Sequence, residues 1–418
     1  KTDYYRAAGD SDSPMGVNWR HSYQRSLDLD AGNGLSLQAR RADGKIYRFT
    51  YSGVYWREDG SGYDYGEPRW LSEDDVEDRL IRLDAAHAVP NGWQYSSARN
   101  VTELYDAGGR LVSITSVDGY TRTLSYEANG RLERVDTPTG EFLLFSYDGN
   151  GRISGVTDQA GRSWGYRYDA VGNLAFVDNP DLSSRRYHYN EAALTGNTDL
   201  AHALTGITDE RALSDQPHER YATFGYDVEG RAVLSTLAAD VDRVDIQYAA
   251  DGVRSVRNST GVVSTYSTDF HLGQARLGLV SGSGCSACRV QGDTAYEYDG
   301  VNSLIGRSDN GTKTLYGDYD GKGQYGCKVE GVSAADPTPN TGDCAFDPVA
   351  SPEARRIDYS YDARFYNRIT TITEPSVYGS GNKITTYTYD DYGNRRSATI
   401  NGFQPDGTPV SRSTSWEY

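Results

Sequence analysis

Four cysteines are the residues of this chain whose type and spacing could support covalent or metal chemistry. Cys285 and Cys288 form a C-x-x-C pair, whereas Cys327 and Cys344 stand farther apart. A zinc ribbon needs a second C-x-x-C pair, and no histidine lies between the first and last cysteine, so disulfide bonding is favoured over spare thiols and over a metal site. Four cysteines allow three pairings. Because Cys327 and Cys344 flank an insertion rich in Pro and Gly, we predict that these two bond to each other.

The other chemically capable residues form no recognisable catalytic pattern. The histidines are scattered and form no H-E-x-x-H pair. Asp-rich stretches such as 28–30 and 318–321 lack the bidentate Glu that a calcium loop places at its twelfth position, so they indicate turns. The sequence also has no G-x-S-x-G, Walker or Rossmann pattern. It therefore predicts no catalytic, cofactor-binding or metal-binding residues, and a protein that is not an enzyme.

A tyrosine followed by an acidic residue recurs in the pattern Y-D-x-x-G-R-[LI]. The first four copies begin at Tyr105, Tyr126, Tyr147 and Tyr168, each 21 residues after the one before, and a degenerate copy begins at Tyr189. Later copies begin at Tyr226, Tyr248, Tyr298, Tyr319, Tyr361 and Tyr389. A fixed period of this kind indicates that one structural unit is repeated.

The residues within each repeat predict the strands and turns that position the tyrosine. Two large side chains flank a polar one at Phe145 and Tyr147, at Tyr296 and Tyr298 and at Tyr387 and Tyr389, which is typical of a half-buried β-strand. The Asp that follows can bond to its own backbone and start a turn, and a glycine such as Gly151 supplies the positive φ. A second turn pattern follows, as at 158–162, so each unit is predicted to be one β-hairpin. The residues assigned to the repeat turns are Tyr105, Asp106, Tyr126, Gly130, Tyr147, Asp148, Gly151, Tyr168, Asp169, Gly172, Tyr226, Asp227, Tyr361, Asp362, Tyr389 and Asp390.

Charge and composition narrow the class of protein. Lys and Arg number 42 against 59 Asp and Glu, and a net charge of −17 argues against nucleic acid as a partner. No stretch approaches the length of a membrane-spanning helix, and 34 tyrosines argue against disorder. Eleven repeat anchors imply more strands than an open twisted sheet usually holds. We therefore predict an all-β array of hairpin repeats that winds into a large curved sheet or hollow shell.

Four segments follow from the spacing of the repeats. Residues 1–100 precede the regular array, residues 101–260 hold regular repeats, residues 261–350 hold repeats with Cys-containing insertions, and residues 351–418 hold further repeats. Residues 413–418 alternate like a strand that leads into a Tyr–Asp turn, so we expect the array to be cut in mid-unit. The chain begins with Lys1, and we expect it to be a piece of a longer product.

The unit Y-D-x-x-G-R-[LI], followed by D-x-x-G-R, resembles the RHS or YD repeat of bacterial polymorphic toxins, which is related to repeats of insecticidal toxin complexes and teneurins. Segments 16–23, 204–227 and 351–390 also resemble modules of this family. The resemblance implies a hollow β-shell around a toxic C-terminal domain, made by a bacterium and secreted or held at the cell surface. This chain would be a non-enzymatic part of such a cocoon, enclosing or presenting a linked toxin or effector.

Two other functions are compatible with the same residues. The tyrosine-lined strands could bind carbohydrate rings or another cell, which would make the chain a surface-binding module. Open sheet ends could instead pair with one another, which would make it a self-associating scaffold. The expected partners are thus a linked toxin or effector domain, surface glycans or further copies of the chain, with no cofactor, nucleic acid or membrane span.

Overall fold

Antiparallel β-strands make up the regular structure of the chain. The structure is a computed structural model, and it describes residues 2–4, 13–29, 35–52, 55–56, 63–64, 69–72, 76, 78–210, 219–249, 252–282, 293–309, 311–378, 381–390 and 393–417. Cys285 and Cys288 lie outside these ranges. The described residues form 35 strands and two short 3-10 turns, Ala192–Leu194 and Ala238–Asp240, with no α-helix among them. The prediction of an all-β array of hairpins is confirmed.

Two compact units divide the chain, Lys1–Arg243 and Val244–Tyr418. The strands of the first unit are β1 (Thr2–Tyr4), β2 (Trp19–His21), β3 (Ser26–Asp28), β4 (Ser36–Arg40), β5 (Ile46–Ser52), β6 (Tyr55–Trp56), β7 (Tyr63–Asp64), β8 (Arg69–Ser72), β9 (Arg79–Arg82), β10 (Trp93–Ser96), β11 (Thr102–Tyr105), β12 (Leu111–Thr115), β13 (Thr121–Tyr126), β14 (Leu132–Asp136), β15 (Phe142–Tyr147), β16 (Ile153–Asp158), β17 (Ser163–Tyr168), β18 (Leu174–Asp178), β19 (Ser184–Tyr189), β20 (Leu204–Glu210), β21 (Glu219–Tyr226) and β22 (Ala232–Leu237).

The strands of the second unit are β23 (Val244–Tyr248), β24 (Val253–Arg257), β25 (Val263–His271), β26 (Gln274–Gly282), β27 (Thr294–Tyr298), β28 (Leu304–Asp309), β29 (Thr312–Tyr319), β30 (Tyr325–Ser333), β31 (Arg355–Tyr361), β32 (Ile369–Pro375), β33 (Asn382–Tyr389), β34 (Arg395–Phe403) and β35 (Pro409–Ser415). Each of these strands pairs antiparallel with the next one along the chain.

In the first unit, the main sheet begins with β3, β4, β5 and β8, and then continues strand by strand from β9 to β22. Its beginning curls back onto its own later strands. The Leu27 N–H donates to the carbonyl of Gly109 at 2.8 Å, and Ser26 makes an isolated bridge with Arg110. This contact does not close a barrel, because β12 goes on to pair with β13.

Side-chain alternation gives the curled region a packed interior. In β10 the buried Trp93 and Tyr95 alternate with less buried neighbours, and Leu37 and Ala39 do the same in β4. These residues and Phe49 belong to one cluster of buried apolar side chains. The cluster extends along the sheet to β14, so the first strands and the first regular repeats share one core.

Residues 13–21 lie on the regular repeats and form a second buried cluster with them. Met15 and Trp19 pack with Ile153 and Leu174, each of them at most 5% exposed. The Val17 N–H donates to the carbonyl of Gly172 at 3.1 Å. The N-terminal residues thus contact side chains more than a hundred positions later in the sequence.

Candidate functional site

The candidate site is the Tyr–Asp turn, which ends one strand of each repeat and starts the next. In the copy at 105–111, the Gly109 N–H donates to the Asp106 carbonyl at 3.0 Å, and the Asp106 N–H donates to the Arg110 carbonyl at 2.8 Å. The strand register shifts at Tyr105, which marks a bulge. Gly109 has a φ of +83°, as a turn followed by such a bulge requires.

The aspartate side chain caps this turn. In the copy at 147–153, one Asp148 oxygen accepts the N–H groups of Asn150 and Arg152, both at 2.9 Å, and the other accepts Arg152 Nε at 3.0 Å. Burial opposes ionisation of the carboxyl, but these hydrogen bonds outweigh it and hold the pKa of Asp148 below its usual value. The carboxylate is therefore already fully engaged in the turn.

Other turns use the same cap with small changes in the donor. Asp106 and Asp227 bind the arginine four residues later, whereas Asp169 and Asp390 bind an asparagine at that position. Asp362 stands in a longer loop and binds Arg364 instead. In the copy at 126–132 the acidic residue is Glu127, and Asn129 accepts the backbone N–H of Arg131 in its place.

The tyrosine hydroxyl ties each repeat to the one before it. Tyr147 donates to the carbonyl of Leu132 at 2.7 Å, 15 residues earlier. The same bond, at the same separation, joins Tyr126 to Leu111, Tyr168 to Ile153, Tyr189 to Leu174 and Tyr319 to Leu304. Where segments are inserted, the spacing grows: Tyr226 donates to Leu204, Tyr298 to Leu277, Tyr361 to Tyr325 and Tyr389 to Ile369.

In three of these repeats an arginine of the earlier repeat covers the ring of the same tyrosine. The guanidinium carbon lies over the ring centre at 4.6 Å for Arg110 on Tyr126, 5.2 Å for Arg131 on Tyr147 and 4.4 Å for Arg152 on Tyr168. We call this arginine and the apolar residue after it the tyrosine socket. Arg152 serves two repeats, because its Nε also binds Asp148. The socket therefore links the turn of one repeat to the ring of the next.

Burial keeps the socketed tyrosines in their donor form. Desolvation raises the pKa of Tyr147 to about 12, and it also raises the pKa of Tyr126 and Tyr168. A neutral phenol can donate to a carbonyl, whereas a phenolate cannot. These hydroxyls therefore remain donors over the whole physiological pH range.

The first tyrosine of the regular series has different partners. Tyr105 is fully buried, and its hydroxyl donates to Glu103 at 2.5 Å and accepts from Arg41 at 3.2 Å. Glu103 is 1% exposed and also binds Arg25. The contacts with Arg41 outweigh burial and lower the pKa of Glu103, so the cluster holds a buried carboxylate between two arginines.

The three predicted turn glycines all have a positive φ, and two of the four cysteines form a disulfide. Gly130, Gly151 and Gly172 have φ values of +87°, +82° and +91°. Cys327 and Cys344 form a disulfide with a Cα–Cα distance of 6.2 Å, and both are buried.

Sequence reasoning missed the sockets, although the arginine and the apolar residue stand at fixed positions in the repeat pattern. It also missed the cluster of Arg25, Arg41 and Glu103, because no sequence motif or regular spacing relates these three residues.

The geometry of these sites is that of structural links. Within the described ranges no group of three or more His, Cys, Asp or Glu is placed to hold a metal ion. No helix in the described part of the chain is long and apolar enough to cross a membrane. The Tyr–Asp turns use their carboxylates and hydroxyls in hydrogen bonds to neighbouring protein groups.

Comparison with known proteins identifies the repeat. The family model described as RHS Repeat matches residues 105–141 and 147–184. No curated protein matches the sequence. Among solved structures, the chain is similar to the crystal structure of TcdB2-TccC3, with 13% identity and a TM-score of 0.38, and to the Tc holotoxin pore of Photorhabdus luminescens with the mutation TccC3-D651A, with 13% identity and a TM-score of 0.34. Each match covers 91% of this chain and 24% of the other, so this chain spans about a quarter of their length.

Proposed function

This chain is an RHS/YD-repeat protein, and from that premise we propose that its repeats form a non-enzymatic wall that encloses or presents a linked toxin or effector segment. The carrying observation is the unbroken series of tyrosine hydroxyl bonds from Tyr126 to Tyr189, in which the first three tyrosines also have an arginine socket. Each repeat in this series is bonded to its predecessor through a side chain as well as through strand pairing. Such an array resists local opening, which is what a protective wall requires.

The absence of enzymatic activity is part of the proposal. The carboxylates whose pKa is lowered at the Tyr–Asp turns, such as Asp148 and Asp227, are capped by backbone N–H groups and by arginine. A general base must reach a substrate proton, and these oxygens are already occupied by the turn. Their perturbed pKa values are explained by structure and do not indicate a catalytic role.

Location outside the bacterial cytosol is also proposed. The Cys327–Cys344 disulfide supports this, because structural disulfides persist in oxidising compartments and are rare in the cytosol of most organisms. The net charge of −17 is compatible with a soluble secreted or surface-held protein that does not bind nucleic acid.

Limited proteolysis of the natural full-length product that contains this segment tests the wall function. We expect the linked segment to resist protease while the repeats are folded, and to be cut once the double variant Arg131→Ala/Tyr147→Phe weakens one socket. Tyr120→Phe is the control, since the Tyr120 hydroxyl bonds to the exposed Thr139 side chain at 3.3 Å and has no other hydrogen bond among the described residues.

Two results would contradict the proposal. One is a linked segment that is digested at the same rate with the wall folded and unfolded. The other is catalytic turnover, or killing of susceptible cells, by residues 1–418 expressed alone. If the linked segment is toxic alone and residues 1–418 are inert, the proposed division of roles is supported.

A further inference from the structure

The tip of one hairpin in the second unit carries exposed apolar side chains. Leu272 and Gly273 form the two-residue loop between β25 and β26. Phe270 is 72% exposed and Leu272 is 68% exposed. Ala275 lies opposite Phe270 in the register of the two strands and is exposed as well. The tip therefore presents a convex apolar surface to the solvent.

Leu272 occupies this loop in an unfavourable backbone conformation. Its φ is +49°, and that of Gly273 is +77°. A two-residue loop with two positive φ values favours Asn followed by Gly, because a leucine Cβ is crowded in this region. The exposed leucine side chain recovers little of this cost by packing within the chain. Backbone strain that brings no packing is typical of a residue that serves a contact outside the fold.

The polar groups beside the tip are bonded to one another. Nε2 of His271 donates to the Gly300 carbonyl at 3.1 Å. Nδ2 of Asn302 donates to the His271 carbonyl at 2.9 Å, and its Oδ1 accepts from Arg276 at 3.1 Å. Arg276 also pairs with Asp269 at 3.0 Å. These bonds hold the hairpin on the Tyr–Asp turn that follows it, and they leave the apolar side chains as the groups that the tip offers to a partner.

Size and chemistry favour lipid over protein as that partner. Even an aromatic side chain buries only about 150–250 Å². Phe270, Leu272 and Ala275 together therefore offer less than the roughly 800 Å² that each partner buries in a stable protein interface. A protein partner would also need hydrogen-bonding groups around the apolar centre, and those beside the tip are already engaged. Hydrocarbon requires neither a complementary shape nor polar partners, provided that the inserted backbone is already hydrogen-bonded, as it is in a paired hairpin.

We propose that the tip of the β25–β26 hairpin inserts Phe270 and Leu272 into the surface of a lipid bilayer without net charge. The paired Asp269 and Arg276 stay at the level of the headgroups, where charged groups remain hydrated. The net charge of −17 opposes binding to anionic lipid, so the lipid that fits is zwitterionic, such as phosphatidylcholine. This contact does not depend on the proposed wall function, because it uses residues outside the tyrosine sockets.

Flotation of the whole 418-residue chain with phosphatidylcholine vesicles tests the contact. We expect the parent to float with the vesicles at millimolar lipid. Leu272→Asn and Phe270→Ser should each weaken partitioning by about tenfold, because one apolar side chain no longer leaves the water. Since Asn suits the positive φ of the loop, Leu272→Asn should also raise the urea midpoint. A loss of binding in a variant that is more stable than the parent cannot come from misfolding.

Leu182→Asn is the matched control. Leu182 is 76% exposed and has a φ of +66°, but it lies in a turn of the first unit between the polar residues Asp181 and Ser183. This variant should gain stability and partition as the parent does.

Four results would overturn the proposal. The parent does not float with phosphatidylcholine; Leu272→Asn floats as the parent does; Leu182→Asn weakens flotation as much as Leu272→Asn; or phosphatidylserine vesicles bind more tightly than phosphatidylcholine vesicles. In the first case, protection of Phe270 by another segment of the full-length product would identify a protein contact in place of lipid.

Discussion

One tyrosine in each regular repeat makes two contacts with the repeat before it. For Tyr147 these are the hydrogen bond to the Leu132 carbonyl and the contact with the Arg131 guanidinium. The Tyr147 ring fills the socket. Its hydroxyl donates a hydrogen bond to the Leu132 carbonyl, which the ring covers. Packing and hydrogen bonding therefore depend on the same side chain.

We expect Tyr147→Phe to lower the free energy of unfolding by about 1 kcal/mol, because the ring is kept while the Leu132 carbonyl loses its donor. Urea denaturation measures this change as a shift in midpoint. Tyr120→Phe should leave the midpoint almost unchanged, since the variant keeps the ring and the backbone bonds and loses a hydroxyl that, among the described residues, bonds to the exposed Thr139 side chain. Equal shifts for the two variants would show that the socket bond adds nothing.

Because His21 is buried, we expect the stability of the protein to depend on pH. Its Nδ1 is covered and meets no hydrogen-bond partner among the described residues, and its ring lies near those of Tyr23 and Phe145. Burial lowers the pKa of His21 from 6.5 to about 4, and Arg20 adds to the effect. The unfolded chain therefore takes up the proton first as the pH falls. As the pH falls from 6.5 to 4, His21 should cost the folded state about 3 kcal/mol, and the loss should be complete below pH 4.

The measurement is urea denaturation of the parent and of His21→Gln at several pH values. The variant should lose less stability than the parent between pH 6.5 and 4, because it has no group to titrate in this range. Acidic residues also titrate towards pH 4, but they do so in both proteins. Parallel stability curves would contradict the assignment.

At the scale of the element, the Tyr–Asp turns share one backbone shape but have different surroundings. A Cβ added to Gly109 would lie 2.2 Å from the Leu27 carbonyl oxygen, whereas one added to Gly130 would meet nothing within 4 Å. Both glycines have a positive φ. The turn at Gly109 is thus also a docking point for β3, and the turn at Gly130 is not.

Alanine at these two positions separates conformational strain from lost docking. Gly130→Ala should cost about 1 kcal/mol, the usual cost of holding a residue with a Cβ at such a φ. Gly109→Ala should cost at least about 2 kcal/mol more, because β3 must move and the Leu27 hydrogen bond is lost. Thermal or urea unfolding of both variants measures the difference, and equal costs would rule out the docking role.

A disulfide fastens the insertion of the second unit. Cys327 belongs to β30 and Cys344 to the segment that follows it, 17 residues later. The same segment reaches the sheet through the Gly342 carbonyl, which accepts the Asp318 N–H at 2.8 Å. Chain entropy for a loop of this size gives about 3 kcal/mol of stabilisation.

We expect the double variant Cys327→Ala/Cys344→Ala to lose about 3 kcal/mol and to exchange the Asp318 amide hydrogen faster than the parent does. Non-reducing peptide mapping of the protein should recover the two cysteines as one linked pair. Recovery of both as free thiols, or slow exchange at Asp318 in the variant, would count against this role.

At the scale of the whole molecule, a fixed period made most of the fold predictable. The 21-residue spacing from Tyr105 to Tyr168 predicts the hairpins, and alternation within each repeat predicts which side chains face the core. Local chemistry was sufficient here, because each turn is built from residues within five positions of one another. The position of Cys344 beyond a Pro-rich insertion likewise indicated its partner.

Contacts across long sequence distances could not be predicted in this way. Arg41 meets Glu103, and Val17 meets Gly172, with no period or motif that relates them. Insertions also change the anchor of a tyrosine, as at Tyr361, whose hydroxyl reaches back 36 residues.

The tyrosine sockets also favour one order of folding during synthesis. Each socket precedes its tyrosine in the sequence, as Arg131 and Leu132 precede Tyr147. During synthesis from the N-terminus, a socket has therefore left the ribosome before the side chain that fills it. Newly made repeats can be added to a folded edge one after another, in the order of translation.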